Sequence, residues 1–145
     1  SINSHFTMQI KRSATARWEG SGKTGNGIMS TQSTVLHDAQ YSYNTRFEDG
    51  IGTNPEELIG AAHAGCFSMK LAFVLQAAGF TADSIETKAS VVLESGSITT
   101  VQLETSVKVP GVSLAQLEEF TADAKANCPV SKLLNAEITL TTILL

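Results

Sequence analysis

The chain has 145 residues, of which 42% are hydrophobic and 17% charged, a composition that is typical of one globular domain and excludes an intrinsically disordered protein. Ten lysines and arginines against fourteen aspartates and glutamates give a net charge of −4, whereas a nucleic-acid-binding protein needs a basic surface for phosphates. We therefore expect no nucleic-acid partner. No signal peptide, membrane span or lipidation motif is recognisable, so no membrane partner is expected either.

The start of the chain and its two cysteines indicate the extent of the domain and the cellular location. Residues 1–7 precede Met8, which resembles a native start, so we expect 1–7 to be a vector-derived extension and 8–145 to form a single domain. A secreted domain framed by disulfides usually carries more than two cysteines, whereas this chain has only Cys66 and Cys128. A cytoplasmic location is therefore expected, where the two cysteines serve either in packing or in redox chemistry.

The first part of the chain predicts three strands. Residues 9–18 and 27–36 have the mixed, β-tolerant composition of strands, and a glycine-rich turn at 20–25 joins them. After another turn at 37–40, residues 41–47 alternate aromatic and polar side chains, which predicts a third strand.

A long apolar helix follows. Asn54 is a suitable cap and Pro55 a suitable first residue, residues 58–78 are apolar nearly all round, and Gly79 ends the helix. We therefore expect a central helix that is covered on nearly all sides. One small domain can hardly cover it, and Gly65 lets another backbone approach closely. These features predict a homodimer whose core includes both central helices.

The rest of the chain predicts a hairpin, two helices and a strand. The hairpin comprises 85–93 and 98–109, a helix capped by Ser113 is interrupted at Cys128 and Pro129, and a short helical segment at 130–134 precedes a strand at 136–144. The order βββ-α-ββ-αα-β predicts an α+β fold with largely antiparallel sheet.

The two cysteines occupy different local positions. Cys66 lies within the central helix, where a packing role is the default and a reactive thiolate needs a nearby cation, such as Lys70. Cys128 precedes Pro129 at a helix start, where unpaired backbone N–H groups favour an anion, so its position predicts the more acidic thiol. His63 can share a helix face with Cys66, but four metal ligands at recognised spacings are absent. Packing and redox chemistry both stay open here.

Arg46 and Glu56 are candidates for a charged site. Arg46 lies at the end of the predicted third strand among aromatic residues, and a partly buried guanidinium needs a carboxylate such as Glu56. Surface exposure and helix capping are their default roles. Glu56 and Cys66 are ten residues apart on one helix, or about 15 Å along its axis. Arg46 and Glu56 could therefore join only Cys66 of the partner subunit.

Two segments resemble a known family. NTRFEDGIGTNPEELIGAAHAGCFSM at 44–69 and CPVSKLLNAEITL at 128–140 are similar to the OsmC/Ohr family, the osmotically inducible protein C and organic hydroperoxide resistance proteins. The likeness extends over 8–140. It implies an OsmC/Ohr-like fold in an intertwined homodimer with active sites at the interface. It also implies a cysteine-dependent peroxidase for organic hydroperoxides that needs no metal or other cofactor.

The resemblance also assigns roles to single residues. It implies that Cys66 is the peroxidatic cysteine and Cys128 the resolving one, that Arg46 polarises the site, and that Glu56 orients Arg46. Arg17 is the fallback, because Ohr proteins take their arginine from nearer the N-terminus. The implied Cys66–Cys128 disulfide is reduced by an external dithiol of the lipoyl type. A non-catalytic binder of an apolar ligand and a thiol redox sensor are the alternatives.

Overall fold

The computed structural model describes residues 8–47 and 50–145, which form two compact units that join between Asn54 and Pro55. The expected vector-derived extension at 1–7 lies outside the described residues. The single domain over 8–145 stays a prediction.

The N-terminal unit is built on a three-stranded antiparallel sheet in the order β1-β2-β3. Its strands are β1 (Ala14–Glu19), β2 (Asn26–Thr31) and β3 (Ala39–Tyr41). Trp18 and Tyr41 pack with ring centroids 5.4 Å apart. Gly27 lies beside both rings, and a Cβ on it would come within 2.6 Å of the Tyr41 ring. Only glycine leaves room for this aromatic pair.

The third predicted strand is wrong in its extent. The strand is Ala39–Tyr41, which takes in the last two residues of the expected turn and only the first residue of the expected strand, and Asn44–Arg46 forms a 3-10 turn. Thr45 Oγ1 accepts a hydrogen bond from the Ser42 N–H at 3.1 Å and donates one to the Ser42 carbonyl at 2.8 Å. These side-chain bonds compete with strand pairing and close the backbone into a turn.

The C-terminal unit contains a second sheet in the order β4-β5-β6 and three helices. A tight turn at Ser95 and Gly96, both with positive φ, joins β4 and β5 into an antiparallel hairpin. β6 pairs in parallel with β5 after a crossover through α2 and α3. The bounds are α1 (Pro55–Ala77), β4 (Ser84–Glu94), β5 (Ser97–Lys108), α2 (Leu114–Asn127), α3 (Pro129–Leu133) and β6 (Glu137–Leu144). The predicted α+β fold and its element order are confirmed.

One face of α1 forms the core of this unit. Phe67, Leu71 and Leu75 are completely buried, and α1 packs on β4, α2 and α3. At Gly60 a Cβ would lie 3.2 Å from the Ala89 carbonyl oxygen, so the helix approaches the sheet closely there. Opposing core residues come from the sheet and from α2, and they include Val101, Leu103, Val107, Leu117 and Ala124.

The opposite face of α1 is left exposed by the described part of its own chain, and its coverage by a second copy stays a prediction. This exposed apolar face comprises Ala61, Ala62, Gly65, Met69 and Phe73, and Met69 and Phe73 are each 61% exposed. A three-stranded sheet and two further helices cover only one side of a helix. Within the described part of the chain, α1 is the one helix long and apolar enough to cross a membrane, and its Phe67, Leu71 and Leu75 belong to the core of the C-terminal unit.

Candidate active site

The structure brings the two cysteines together. Cys66 on α1 and Cys128 at the junction of α2 and α3 share a hydrogen bond between their thiols. Both thiols are free, with Cys66 half-buried and Cys128 buried. The junction forms because Pro129 cannot continue α2 and instead begins α3, which leaves Cys128 in an extended conformation between the helices.

The surroundings of Cys128 favour its thiolate. Burial raises the pKa of Cys128, but hydrogen bonds from the Ser131 N–H and hydroxyl, the Cys66 thiol and the Val130 N–H lower it. The hydrogen bonds prevail, and the pKa of Cys128 lies below its ordinary value. The backbone donors are the first N–H groups of α3, which have no partner inside the helix. The position before Pro129 predicts this acidity.

The surroundings of Cys66 have the opposite effect. Burial raises the pKa of Cys66, and the hydrogen bond and charge of Cys128 raise it further, while the Val130 N–H only partly opposes them. Lys70, one turn along α1, is not among the groups that shift this pKa. A stable Cys66 thiolate therefore requires a cation from beyond these contacts.

His63 and Ser131 are site residues that the sequence did not assign. His63 is completely buried, and its Nε2 lies 2.8 Å from Ser131 Oγ. Burial lowers the pKa of His63, so the ring is neutral near pH 7. The helical spacing paired His63 with Cys66, but the observed partner is Ser131. The available signal was the position of Ser131, three residues after the cysteine that immediately precedes α3.

Glu56 and Arg46 lie on separate elements. Glu56 is half-buried in the first turn of α1, and because α1 is continuous, Glu56 and Cys66 of one chain are about 15 Å apart along its axis. Arg46 ends the 3-10 turn of the N-terminal unit rather than a strand. Arg17 is exposed on β1 with its Nε 3.1 Å from the Glu19 carboxylate. The roles of Arg46 and Glu56, and of Arg17 as fallback, stay predictions.

The chemistry that this arrangement supports is that of thiols. Two free cysteines of different acidity in hydrogen-bond contact can form a disulfide when one of them is oxidised. Among residues 8–47 and 50–145, no group of three or more histidine, cysteine, aspartate or glutamate side chains is placed to hold a metal ion.

Comparison with known proteins identifies the family. Residues 48–143 match the family model described as OsmC-like protein. The chain belongs to the OsmC family. It is 50% identical over 137 residues to peroxiredoxin OsmC of Escherichia coli strain K12, covering 92% of this chain and 96% of that protein. The peroxiredoxin OsmC of Shigella flexneri matches equally well.

Solved structures share the OsmC fold at lower identity. An OsmC-like protein from Mycoplasma pneumoniae has a TM-score of 0.76 and 14% identity, covering 95% of this chain and 99% of that chain. The organic hydroperoxide resistance protein of Bacillus subtilis has a TM-score of 0.63 and 23% identity, covering 92% and 98%. The family model and the 50% identical relative confirm the family resemblance carried by residues 44–69 and 128–140.

Proposed function

We propose that this OsmC-family protein is a thiol peroxidase that reduces organic hydroperoxides, and hydrogen peroxide less well, to the corresponding alcohols or water. The observation that carries the proposal is the hydrogen-bonded pair of free thiols, Cys66 and Cys128, on separate elements of one unit. The peroxiredoxin name of the Escherichia coli relative at 50% identity supports it. The reducing cytoplasm is the location that suits such a thiol enzyme.

The difference in burial supports the order of the two cysteines. Cys66 is half-buried whereas Cys128 is buried, so an incoming peroxide reaches Cys66 first. The Cys66 thiolate attacks the distal peroxide oxygen, the O–O bond breaks, and the leaving alkoxide takes a proton to become the alcohol. Cys66 is thereby oxidised to a sulfenic acid.

Cys128 completes the oxidative half of the cycle. Its thiolate attacks the Cys66 sulfur, the S–S bond forms and the S–O bond breaks, and the leaving hydroxide takes up the proton that Cys128 released, giving water. An external dithiol of the lipoyl type then reduces the disulfide and becomes a disulfide itself.

A guanidinium is the group that can offset the raised pKa of Cys66. In this proposal Arg46 stabilises the thiolate and the developing charge on the peroxide, and Glu56 orients Arg46 through a charge-assisted hydrogen bond. Because Glu56 and Cys66 of one chain are far apart along α1, Arg46 and Glu56 serve Cys66 of the partner subunit. Arg17 is the fallback for Arg46.

The exposed apolar face of α1 supports a homodimer with active sites at its interface. Met69 and Phe73 are large, apolar and 61% exposed, and no atom of the described residues lies within 4 Å of a Cβ built on Gly65, so a second backbone has room to approach. This face adjoins Cys66, one residue from Gly65 and three from Met69. The same apolar surroundings favour the organic part of a hydroperoxide over hydrogen peroxide.

Stopped-flow assays with cumene hydroperoxide and dihydrolipoamide test the proposed chemistry. The unsubstituted protein should turn over many times, Cys66→Ser should consume no peroxide, and Cys128→Ser should complete at most one turnover before Cys66 is overoxidised. Stoichiometric oxidation without turnover would indicate a redox sensor instead. No reaction of either thiol would leave a non-catalytic binding protein.

Analytical ultracentrifugation tests the proposed dimer. The double variant Met69→Glu, Phe73→Glu should sediment as a monomer and lose most peroxidase activity, because it places charges in the apolar interface. Leu114→Glu is the matched control, since it changes another exposed apolar residue, 46% exposed at the start of α2. A monomeric unsubstituted protein with full activity would contradict the interface.

A further inference from the structure

A partly buried hydrogen-bond chain leads from α1 to Cys128. His63 Nε2 lies 2.8 Å from Ser131 Oγ, and Ser131 hydrogen-bonds the Cys128 sulfur through both its backbone N–H and its hydroxyl. Cys128 in turn contacts Cys66. The four side chains are therefore connected in the order His63, Ser131, Cys128, Cys66. No step of the proposed peroxidase reaction yet uses the first two.

The hydrogen-bonding capacity of Ser131 fixes the direction of this chain. A serine hydroxyl has one hydrogen to donate. If His63 accepts that hydrogen at Nε2, none is left for the Cys128 sulfur, and the Nδ1–H of His63 is a buried donor without a partner among the described residues. If instead Nε2–H donates to Ser131 Oγ, the hydroxyl hydrogen can point at Cys128. Only a lone pair on Nδ1 then lacks a partner, and the Ser131–Cys128 bond is satisfied.

We propose that His63 is a positioning residue for the resolving step: its Nε2–H holds the Ser131 hydroxyl in the orientation that donates to the Cys128 sulfur. The proposal rests on the proposed peroxidase function for its consequence in catalysis. When Cys128 loses its proton, Ser131 stabilises the resulting thiolate, and His63 supports the charge through Ser131. The thiolate then attacks the Cys66 sulfenic acid in the balanced step given above. Neither His63 nor Ser131 takes up a proton.

The charged side chains near α1 offer no alternative to the hydrogen-bond chain as the link between His63 and Cys128. Cys66 and Cys128 are the titratable groups linked to it through Ser131. Most charged side chains on the elements packed against α1 point to solvent, and only Lys125, near the end of α2, is half-buried. The exposed ones are Glu86, Lys88, Glu94, Glu118, Glu119, Asp123 and Lys132.

Titration of Cys128 tests the positioning role without any peroxide. In a Cys66→Ser background, the ultraviolet absorbance of the thiolate reports the ionisation of Cys128. Ser131→Ala should raise the pKa of Cys128, because it removes the hydroxyl donor, and Ser131→Thr should restore the parent value. His63→Leu should act like Ser131→Ala, whereas His63→Gln should restore most of the effect because its amide N–H can replace Nε2–H.

Ser68→Ala is the matched control for these variants. It also removes a half-buried hydroxyl, but this one donates to Thr87 Oγ1 at 2.8 Å and not to a thiol, so the titration of Cys128 should not change. Should His63→Leu fail to fold, as judged by circular dichroism, the pair Ser131→Ala and Ser131→Thr gives the decision. An unchanged Cys128 titration in Ser131→Ala would overturn the proposal.

A single-turnover measurement links the titration to catalysis. With both cysteines present and one equivalent of cumene hydroperoxide, Ser131→Ala should form the Cys66 sulfenic acid at the parent rate but close the disulfide about tenfold more slowly, as expected when one hydrogen bond to a charged group is lost. The Cys66 sulfenic acid should then persist, and a second equivalent of hydroperoxide should oxidise it to sulfinic acid. Equal slowing of both steps would contradict a role confined to Cys128. If the parent protein consumed no peroxide, the peroxidase proposal would fail while the titration still decided the role of His63.

Discussion

Cys66 and Cys128 share one hydrogen bond that shifts their acidities in opposite directions, because it raises the pKa of Cys66 and lowers that of Cys128. Cys128 therefore ionises at a lower pH than Cys66. The thiol that is better shielded from solvent is also the better thiolate. This combination suits a group that must react with a neighbouring sulfur rather than with a substrate in solution.

The opposed shifts predict how one thiol responds to loss of the other. Cys128→Ser should lower the pKa of Cys66, because it removes the hydrogen bond and the negative charge that raise this pKa, while burial remains. The rate of Cys66 alkylation by iodoacetamide, followed across pH, measures the change. Ser68→Ala serves as the control on the same helix. A Cys66 profile that moves to higher pH in Cys128→Ser would show that the contact does not act as described.

Replacement of Arg46 tests the source of the cation. In the Cys128→Ser background, Arg46→Ala should move the Cys66 alkylation profile to higher pH, and in the otherwise unsubstituted protein it should slow peroxide reduction by about 10²-fold, as for the loss of one preorganised charged donor. Glu56→Gln should shift the alkylation profile and slow peroxide reduction in the same direction but to a smaller extent, because it disturbs only the orientation of Arg46. Arg17→Ala is the control, since Arg17 is exposed and pairs with Glu19 on its own strand. Effects that followed Arg17 and not Arg46 would transfer the role to the fallback.

The buried ring of His63 predicts acid sensitivity. Burial lowers the folded-state pKa of His63 below the ordinary 6.5, so between that lowered pKa and 6.5 the unfolded chain binds more protons than the folded one. The contribution of the neutral His63 ring to the free energy of unfolding is therefore complete above pH 6.5. It is lost as the pH falls from 6.5 through the lowered pKa.

Urea unfolding at a series of pH values measures this contribution. His63→Gln should show a shallower decline in the free energy of unfolding below pH 6.5 than the parent protein. His37→Gln, which changes an exposed histidine beside Asp38, should decline like the parent. The same slope in all three proteins would exclude His63 as a source of the acid sensitivity.

Two glycines on α1 predict opposite responses to alanine. In the monomeric Met69→Glu, Phe73→Glu background, Gly65→Ala should raise the free energy of unfolding by about 0.5–1 kcal/mol through helix propensity, because no atom of the described residues lies within 4 Å of the added Cβ. Gly60→Ala should gain nothing or lose stability, since its Cβ would press on the Ala89 carbonyl oxygen at 3.2 Å. Urea denaturation of both variants provides the comparison. Equal gains would mean that α1 can move away from β4 at no cost.

Local sequence signals predicted most of the fold. Pro55 and Gly79 bracket α1, and the alternation along β5 marks its buried and exposed faces, so both elements were recognisable from nearest neighbours. The 3-10 turn was not, because the two hydrogen bonds between Thr45 and Ser42 outweigh an alternating pattern that favours a strand. The sequence indicated that one chain can hardly cover α1 but not which side stays exposed, because an apolar helix shows the same pattern whether its own chain or a second one covers it.

The site was less accessible to prediction than the fold. The acidity of Cys128 follows from its position before Pro129, but its proximity to Cys66 depends on the crossover between β5 and β6, and only the family resemblance indicated it. The contact between His63 and Ser131 also depends on the crossover between β5 and β6. Helical spacing reveals neighbours on one helix, whereas Ser131 reaches His63 from another element.

The placement of the two sulfurs on α1 and on the crossover has a consequence for the protein as a whole. A covalent bond between them would close a loop that contains the entire β4–β5 hairpin and α2, and tethering a loop of this length restricts the unfolded chain enough to stabilise the folded one by about 4 kcal/mol. By linkage, an external dithiol would have to overcome the same free energy to reopen the bond. The disulfide form would then melt at a higher temperature than the dithiol form, so the melting temperature would indicate the oxidation state of Cys66 and Cys128.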